Sequence, residues 1–422
     1  MSFSSLGLCP ALVNAVCELA YTEPSEVQTK AIPAILTGRD ALVSAQTGSG
    51  KTAAFCLPIL QSLISKTPIL ARPVQALILV PTRELAAQVG DTLRTLAQHV
   101  AQPVKLAVLF GGVSINPQML HLRGGADIVI ATPGRLLDLV DQNALKLGDV
   151  NCLVLDEADR LLDLGFSEEL NRILALLPPH RQNLFFSATI SAEVAALAQS
   201  LLHDPVRIEI ELSQVSAPDI TQRAIVVDAN QRTQLLRHLI EHQKWSRVLV
   251  FVATKYAAEL VAVKLRRTGI NAEPFHGDLS QGKRTQVLMD FKTSRVKVVI
   301  ATDVASRGID ITELPIVVNY DLPRSSDDYT HRIGRTGRAG ESGVAVNFIC
   351  ADNANEAHFR LIELRHHQKI IREIVIGFEP THAATLSSTL SSTMTPDSNG
   401  GIKGKRPNKK DKLRALTSVE KS

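Results

Sequence analysis

At 422 residues, 45% hydrophobic and 21% charged, the chain has the balance of a globular protein and is too long for one ordinary core, so about two to three domains are expected. Its net charge of +4 is carried by the C-terminal end, where eight basic and four acidic residues follow from Glu379 on while 38 of each sign balance in the rest. A polyanion would therefore be held by a few placed groups in the body and by diffuse attraction in the tail; with aromatics at only 4%, a base-stacking platform is not expected.

The N-terminal apolar stretch Leu6 to Val16 has no preceding Lys or Arg and is interrupted by Pro10 and Asn14, so a secretory leader is not expected. No apolar run approaches the length of a bilayer span, and no membrane association is expected. Short apolar strands are predicted at 41–45, 75–80, 105–110, 126–131, 152–156, 183–187 and 206–210, separated by helical patterns or turns. A second series follows at 222–227, 247–252, 270–275, 297–302, 315–320 and 343–349. Such alternation implies two α/β domains, each a mostly parallel sheet flanked by helices. The expected division is 1–210, a linker at 211–221 that contains Pro218, a second domain at 222–378 and a tail at 379–422. That tail is Ser/Thr-rich, then Gly- and Lys-rich, and is expected to be disordered; the run Lys403 to Lys412 reads as a solvated tail, a nucleic acid tether or, in a eukaryote, an import signal, with the tether favoured. The five cysteines, Cys9, Cys17, Cys56, Cys152 and Cys350, show no C-x-x-C spacing, which predicts reduced, mostly buried thiols in a cytoplasmic protein without structural zinc.

Chemistry concentrates at the carboxyl ends of the predicted strands. After the first strand comes Ala45-Gln46-Thr47-Gly48-Ser49-Gly50-Lys51-Thr52, a phosphate-binding loop in which Ala45 stands where the pattern has its first Gly. Its small residues let backbone N–H groups turn onto a polyphosphate, Lys51 reaches the β/γ phosphates, and the Thr52 hydroxyl takes Mg²⁺ at a helix N-terminus. The strand 152–156 delivers Asp156-Glu157-Ala158-Asp159, where Asp156 suits Mg²⁺ and Glu157 suits orienting the attacking water. Gln46, Pro81, Gly111, Thr132, Asp156 and Ser187 mark strand ends in the first domain, and His276, Thr302 and Asp321 do so in the second. Open parallel sheets bind ligands at that edge, and two such edges facing one another make a cleft. Later in the chain, Asp327 and Asp328 are expected to open a helix that carries His331 and Arg335 on one face and ends at Gly337, before Arg338.

In this order the motifs resemble those of the DEAD-box RNA helicases of superfamily 2, from about Phe3 to about Phe378. The resemblance rests on Ala45 to Thr52, Pro81-Thr82-Arg83-Glu84-Leu85, Gly111-Gly112, Thr132-Pro133-Gly134-Arg135, Asp156 to Asp159 and Ser187-Ala188-Thr189. In the second domain it rests on Ala301-Thr302-Asp303, Ser306-Arg307-Gly308-Ile309-Asp310 and His331 to Arg338. The ending Val375 to Thr381 is similar to that of the bacterial RhlE-type subgroup. The resemblance implies two tandem RecA-like domains and an RNA-stimulated ATPase that unwinds short duplexes. It assigns adenine reading to Gln28 through its amide and to Tyr21 by stacking, although Ala20 and Ser25-Glu26 depart from the usual Gly and Thr-Pro; Ser25 still reads as a helix N-cap. Without the resemblance Gln28 would read as an ordinary helix-surface residue.

By the same resemblance Arg335 and Arg338 are the arginine fingers, Asp310 contacts the ribose, and Ser187 and Thr189 couple the sites through hydrogen bonds with Asp159 or His331. RNA is then met by Thr82, Arg83, Gly112, Thr132, Gly134 and Arg135 of the first domain and by Gln281, Arg284, Thr302 and Asp303 of the second, through its backbone and without regard to sequence. The expected cofactors are ATP and Mg²⁺; the expected partners are RNA and ribosomal or RNA-degradation machinery, with the protein a monomer. The motifs do not separate a helicase from an ATP-gated RNA clamp. They disfavour a DNA translocase and an inactive ATPase.

Overall fold

The computed structural model describes residues 2–19, 21–45, 48–65, 72–210, 220–303, 314–337 and 342–381. Among these, two parallel sheets form. The first holds β1 (Ala41–Ser44), β2 (Ala76–Leu79), β3 (Leu106–Leu109), β4 (Ile128–Ala131), β5 (Cys152–Leu155), β6 (Gln182–Ser187) and β7 (Val206–Glu209). The second holds β8 (Ile220–Val227), β9 (Val248–Val252), β10 (Ala272–Phe275), β11 (Val298–Thr302), β12 (Ile316–Asn319), β13 (Gly343–Cys350) and β14 (Arg372–Glu373). Every residue of β2, β4 and β5 is buried, because helices cover both faces of an inner parallel strand and an uninterrupted apolar run is what survives there.

Strand order in the first sheet is β3-β4-β2-β5-β6-β1-β7 and in the second β10-β11-β9-β12-β13-β8-β14. Counting the second sheet from its own first strand gives the same order. Each lobe is thus one copy of a single RecA-like winding pattern, and both copies send their functional loops to the carboxyl edge. Helix starts are written in the sequence: Ser25, Thr82, Ser191, Thr254, Ser280 and Ser325 each accept a hydrogen bond from a backbone N–H in the first turn.

Differences from expectation are local. The two-residue strand β14 lies at the sheet edge beside β8 and is too short to read from its residues. Two guanidinium groups hold it: Arg372 meets Glu356 at 3.0 Å and Glu363 at 2.7 Å and lies 4.8 Å over the Phe359 ring, and Arg223 of β8 meets Glu373 at 2.6 Å. Strand β8 begins at Ile220, inside the segment expected as linker, whose residues 211–219 fall outside the described part. Of the five cysteines, Cys56 and Cys152 are buried, Cys9 and Cys350 are half-buried and Cys17 is exposed; expecting most of them to be buried was too strong, since Cys17 sits near the end of the helix Pro10–Glu18, on its outer side.

Candidate functional site

The phosphate loop is built from two directions. Its first residue, Ala45, donates its backbone N–H to the Ser187 carbonyl at 3.1 Å, which ties the loop to the end of β6. At its far end Gly50 has φ +92° and leads into the helix Lys51–Ile64, with Lys51 and Thr52 as its first two residues. The left-handed backbone favours glycine, and so does space: a Cβ at Gly50 would meet Gln28 Nε2 at 2.5 Å and Ser25 Oγ at 2.9 Å. Gln28 is only 3% exposed, which corrects the surface reading. Its Oε1 accepts from the Ser25 backbone N–H at 3.0 Å and its Nε2 donates to the Gly50 carbonyl at 3.2 Å, so the residue closes a capping box and pins the phosphate loop at once. Tyr21 is 38% exposed, with its ring centroid 6.4 Å from that of Phe3. Lys51 Nζ donates to the Ala45 carbonyl at 2.5 Å, folding the cation back across the loop. Ser49 is half-buried and Gly48 has φ +84°; Gln46 and Thr47 lie outside the described residues.

Asp156 follows β5 and is 3% exposed. Burial raises its pKa to about 7, opposed by the charge of Lys51 and helped by that of Glu157. Glu157 sits at φ +50°, an uncommon backbone for a non-glycine residue that turns its side chain out of the strand line. Its carboxyl is also raised by burial, while Lys51 and then Arg335 pull it down. The Asp156 carboxyl is buried and only partly offset by the charge of Lys51, and Thr52, next to Lys51 at the helix start, offers a hydroxyl; both are hard-oxygen groups. That donor set fits Mg²⁺, which takes oxygen ligands and keeps several waters. Asp159 is 5% exposed; its Oδ2 accepts from the Thr189 backbone N–H at 3.2 Å and Oγ1 at 3.0 Å. Ser187 Oγ donates to the Thr189 carbonyl at 2.7 Å and accepts from the Asp159 N–H at 3.4 Å. Three of the expected coupling residues, Ser187, Thr189 and Asp159, are thus joined by hydrogen bonds.

The second sheet supplies the opposite wall. The helix expected to run to Gly337 spans Ser326–Ile333 and is capped at Gly334, so Arg335 does not share a helix face with His331. Glycine ends the helix earlier than expected, at Gly334 rather than Gly337, and Arg335, 7% exposed, stands on the turn beyond it. His331 is held neutral, its pKa lowered to about 3 by burial and by the charges of Arg160 and Arg335, against Asp159 and Asp328. Arg338 and Asp310 fall outside the described residues. The lobes meet here: Arg160 Nη1, directly after Asp159, bonds Asp328 Oδ1 at 3.2 Å. Arg160 is 5% exposed. No sequence signal marked this pair, since charged residues in a helix ordinarily read as a solvated face.

The residues assigned to RNA fall into two groups. In the first lobe Thr82 caps its helix with its side chain, Thr132 occupies the N-cap position of the helix Pro133–Asp141 without a side-chain cap bond, Gly134 is open enough to accept a Cβ without contact, and Arg135 Nη2 donates to the Val113 carbonyl at 2.8 Å. Arg135 is 8% exposed; its Nε lies 3.6 Å from Asp138 Oδ2, and among the described residues its Nη1 has no hydrogen-bond partner. Gly112 has φ +72°, and a Cβ there would lie 2.1 Å from the Arg83 guanidinium nitrogens. In the second lobe Gln281 and Arg284 face the first lobe, with Gln281 Nε2 3.4 Å and Arg284 Nη2 2.9 Å from Glu84 Oε1. Thr302 ends β11, and the carboxylate of Asp303 is gripped by Arg332 through two bonds of 2.6 and 2.7 Å. A cavity of about 320 Å³ lined by Ile35, Pro58, Asn151 and Cys152 opens at the opposite, amino edge of the first sheet and holds none of these residues.

Residues 25–197 match the DEAD/DEAH box helicase family and residues 231–340 the helicase conserved C-terminal domain. The chain is 39% identical over 380 residues to the DEAD-box ATP-dependent RNA helicase RhpA of Helicobacter pylori, covering 90% of this chain and 75% of that one. It is 41% identical over 350 residues to the ATP-dependent rRNA helicase rrp3 of Sclerotinia sclerotiorum, covering 82% and 71%. The chain belongs to the DEAD-box family of ATP-dependent RNA helicases. Both lobes of this DEAD-box protein superpose on S. cerevisiae Dbp5 bound to RNA and ADP BeF3, with TM-score 0.78 and 30% identity over 90% of this chain and 95% of that one. Mss116p bound to ssRNA and AMP-PNP gives TM-score 0.78 at 29% identity, over 89% and 80%.

Within the DEAD-box frame Gly112→Ala is a selective test. The far end of the Arg83 side chain is what a new methyl would displace, so, on the RNA role that the resemblance gives Arg83, RNA affinity should drop roughly tenfold while ATP affinity is kept, with about 1 kcal/mol of stability lost to the left-handed backbone. Fluorescence anisotropy with a labelled oligoribonucleotide reads the first effect and thermal melting the second.

Proposed function

We propose that ATP and single-stranded RNA jointly close the two lobes, that the closed form distorts one strand and opens a short duplex locally, and that hydrolysis resets the cycle. The observation that carries this reading is that the lobes meet at the motif residues themselves: Arg160, directly after Asp159, bonds Asp328 at 3.2 Å, and Asp328 lies on the helix Ser326–Ile333 that leads into Arg335. Neither sheet holds the complete set of groups. Lys51 and the loop N–H groups would bind the phosphates, Asp156 and Thr52 would hold Mg²⁺, Glu157 would orient water, and Arg335 with Arg338 would meet the charge that develops on the transferred phosphoryl group. The ion supplies charge neutralisation and a template for the phosphates. Gln28 and Tyr21 would select adenine and Asp310 the ribose. Ser187, Thr189, Asp159 and His331 would couple this site to the RNA track, formed by Thr82, Arg83, Gly112, Thr132, Gly134 and Arg135 with Gln281, Arg284, Thr302 and Asp303.

The test is displacement of one strand from a short RNA duplex, with and without ATP. ATP-dependent release supports the cycle, whereas ATP-dependent binding without release would make the protein a clamp. We further read the lobes as 1–210 and 222–378 joined by 211–221, the subgroup as RhlE-type, the protein as a cytoplasmic monomer, and its setting as ribosomal or RNA-degradation machinery. Among the described residues no helix is long and apolar enough to cross a membrane.

The tail from 379 is read as a diffuse RNA tether. Deleting residues 399–422 should weaken RNA binding and flatten its dependence on salt, by up to about 0.7 in the log–log slope for each phosphate that the tail neutralises. A titration at two salt concentrations checks this, and an unchanged slope would remove the tail from RNA binding.

A further inference from the structure

The interior of the second sheet contains a polar path that nothing about phosphate or RNA binding requires. Asn319 on β12 and Asn347 on β13 stand directly opposite each other, and both are fully buried. Two amides in register inside an apolar sheet are costly unless every group is bonded. Here they are bonded in a single direction. Arg332 Nη1 donates to Asn319 Oδ1 at 3.0 Å, and Asn319 Nδ2 donates to Asn347 Oδ1 at 2.8 Å. Asn347 Nδ2 donates to the Tyr329 hydroxyl at 3.1 Å, which donates to Gln222 Oε1 at 2.7 Å. Gln222 Nε2 then donates to Gln368 Oε1 at 2.8 Å. A chain whose donors all point one way polarises cooperatively, and it begins on a guanidinium that also grips Asp303.

The path leaves the helix Ser326–Ile333 at Arg332, crosses two strands and returns to it at Tyr329. Both residues are at most 3% exposed. The helix is thereby held to the sheet at two points about one turn apart, which fixes its rotation as well as its position. Arg335 stands two residues beyond the end of that helix. At the other end of the Arg332 grip, Asp303 adjoins Thr302 at the strand-end edge.

We propose that Asn319, Asn347 and Tyr329 form a positioning relay that joins the Thr302–Asp303 end of the second lobe to the placement of Arg335, so that RNA at that edge sets the guanidinium for hydrolysis. The inference rests on the reading of Arg335 given above. None of the three need touch nucleotide or RNA; they act through Arg332 and the helix it anchors.

The test is Tyr329→Phe, which keeps the ring against Phe359 and removes only the hydroxyl, alongside Asn347→Leu and the double variant. RNA-stimulated kcat should fall about three- to thirtyfold in each single variant, the range for residues that carry coupling, with the KM for ATP unchanged. The double variant should lose no more than the larger single loss, because one broken link already opens the path. Wild-type kcat in Tyr329→Phe, losses that multiply in the double variant, or losses that vanish on cooling in step with a lowered Tm would each overturn the relay. Arg335→Ala is measured in parallel. If it too retains turnover, the reading of Arg335 fails; if it loses turnover while Tyr329→Phe does not, only the relay fails.

Discussion

Replacing Arg335 with Ala is expected to lower RNA-stimulated ATP turnover by about a thousandfold or more while leaving ATP bound. Arginines that meet the transferred phosphoryl group are worth roughly 10³–10⁵ in rate, because they act on charge that develops only in the transition state. Arg335 is suited to this. It is 7% exposed, and its backbone is fixed by N–H donation to the Arg332 carbonyl at 3.2 Å and acceptance from the Leu314 N–H at 3.2 Å, so little freedom is lost when it engages. On the proposed reading, ground-state nucleotide affinity would come from the other lobe, through Gln28, the loop amides and Lys51. Single-turnover hydrolysis with saturating RNA, together with equilibrium binding of a fluorescent ATP analogue, separates the two quantities. Arg335→Lys should recover little, since a compact ammonium does not reproduce a planar fork. Turnover within about tenfold of wild type in Arg335→Ala would mean that the site is complete in one lobe and that closure is not its switch.

Asp156→Asn is expected to do two opposite things. Mg²⁺-dependent hydrolysis should fall by about a thousandfold or more, since an amide carries no charge to hold the ion and metal catalysis contributes several kcal/mol. The metal-free protein should at the same time become more stable at pH 8. The sign follows from linkage: burial raises the Asp156 pKa from 3.8 to about 7, so the fold binds this proton more tightly than the unfolded chain does. Its ionisation therefore costs the fold nothing below about pH 4 and progressively more as pH rises through about 7, up to a few kcal/mol. An uncharged isostere escapes that cost. Thermal melting in chelator should show Asp156→Asn above wild type at pH 8, with the gap narrowing as pH falls and closing near pH 4. A variant that melts below wild type at pH 8 would show that Lys51 compensates the carboxylate more fully than burial penalises it.

Much of this protein was legible in its residues alone. Apolar runs such as Cys152–Leu155 and Val248–Val252 announce inner parallel strands because both faces of such a strand are covered by helices and a polar side chain there is costly unless it finds a partner. Ser and Thr at helix starts, and the small residues of the phosphate loop, mark their positions because the backbone there has groups that only such residues satisfy or spare. Those signals are local, acting over one turn or one strand end, and so the sequence by itself determined two α/β lobes, the strand-end placement of the motif residues and the family. What the tertiary structure alone decided joins residues far apart in the chain. The interior position of Gln28 depends on Gly50 approaching it, the Arg160–Asp328 and Arg284–Glu84 pairs cross between lobes, and the Asn319–Asn347–Tyr329 path exists only once two strands and a helix are assembled. A side chain's polarity states what partner it needs; where that partner stands is settled by the packing of elements distant in the chain, and no local pattern encodes it.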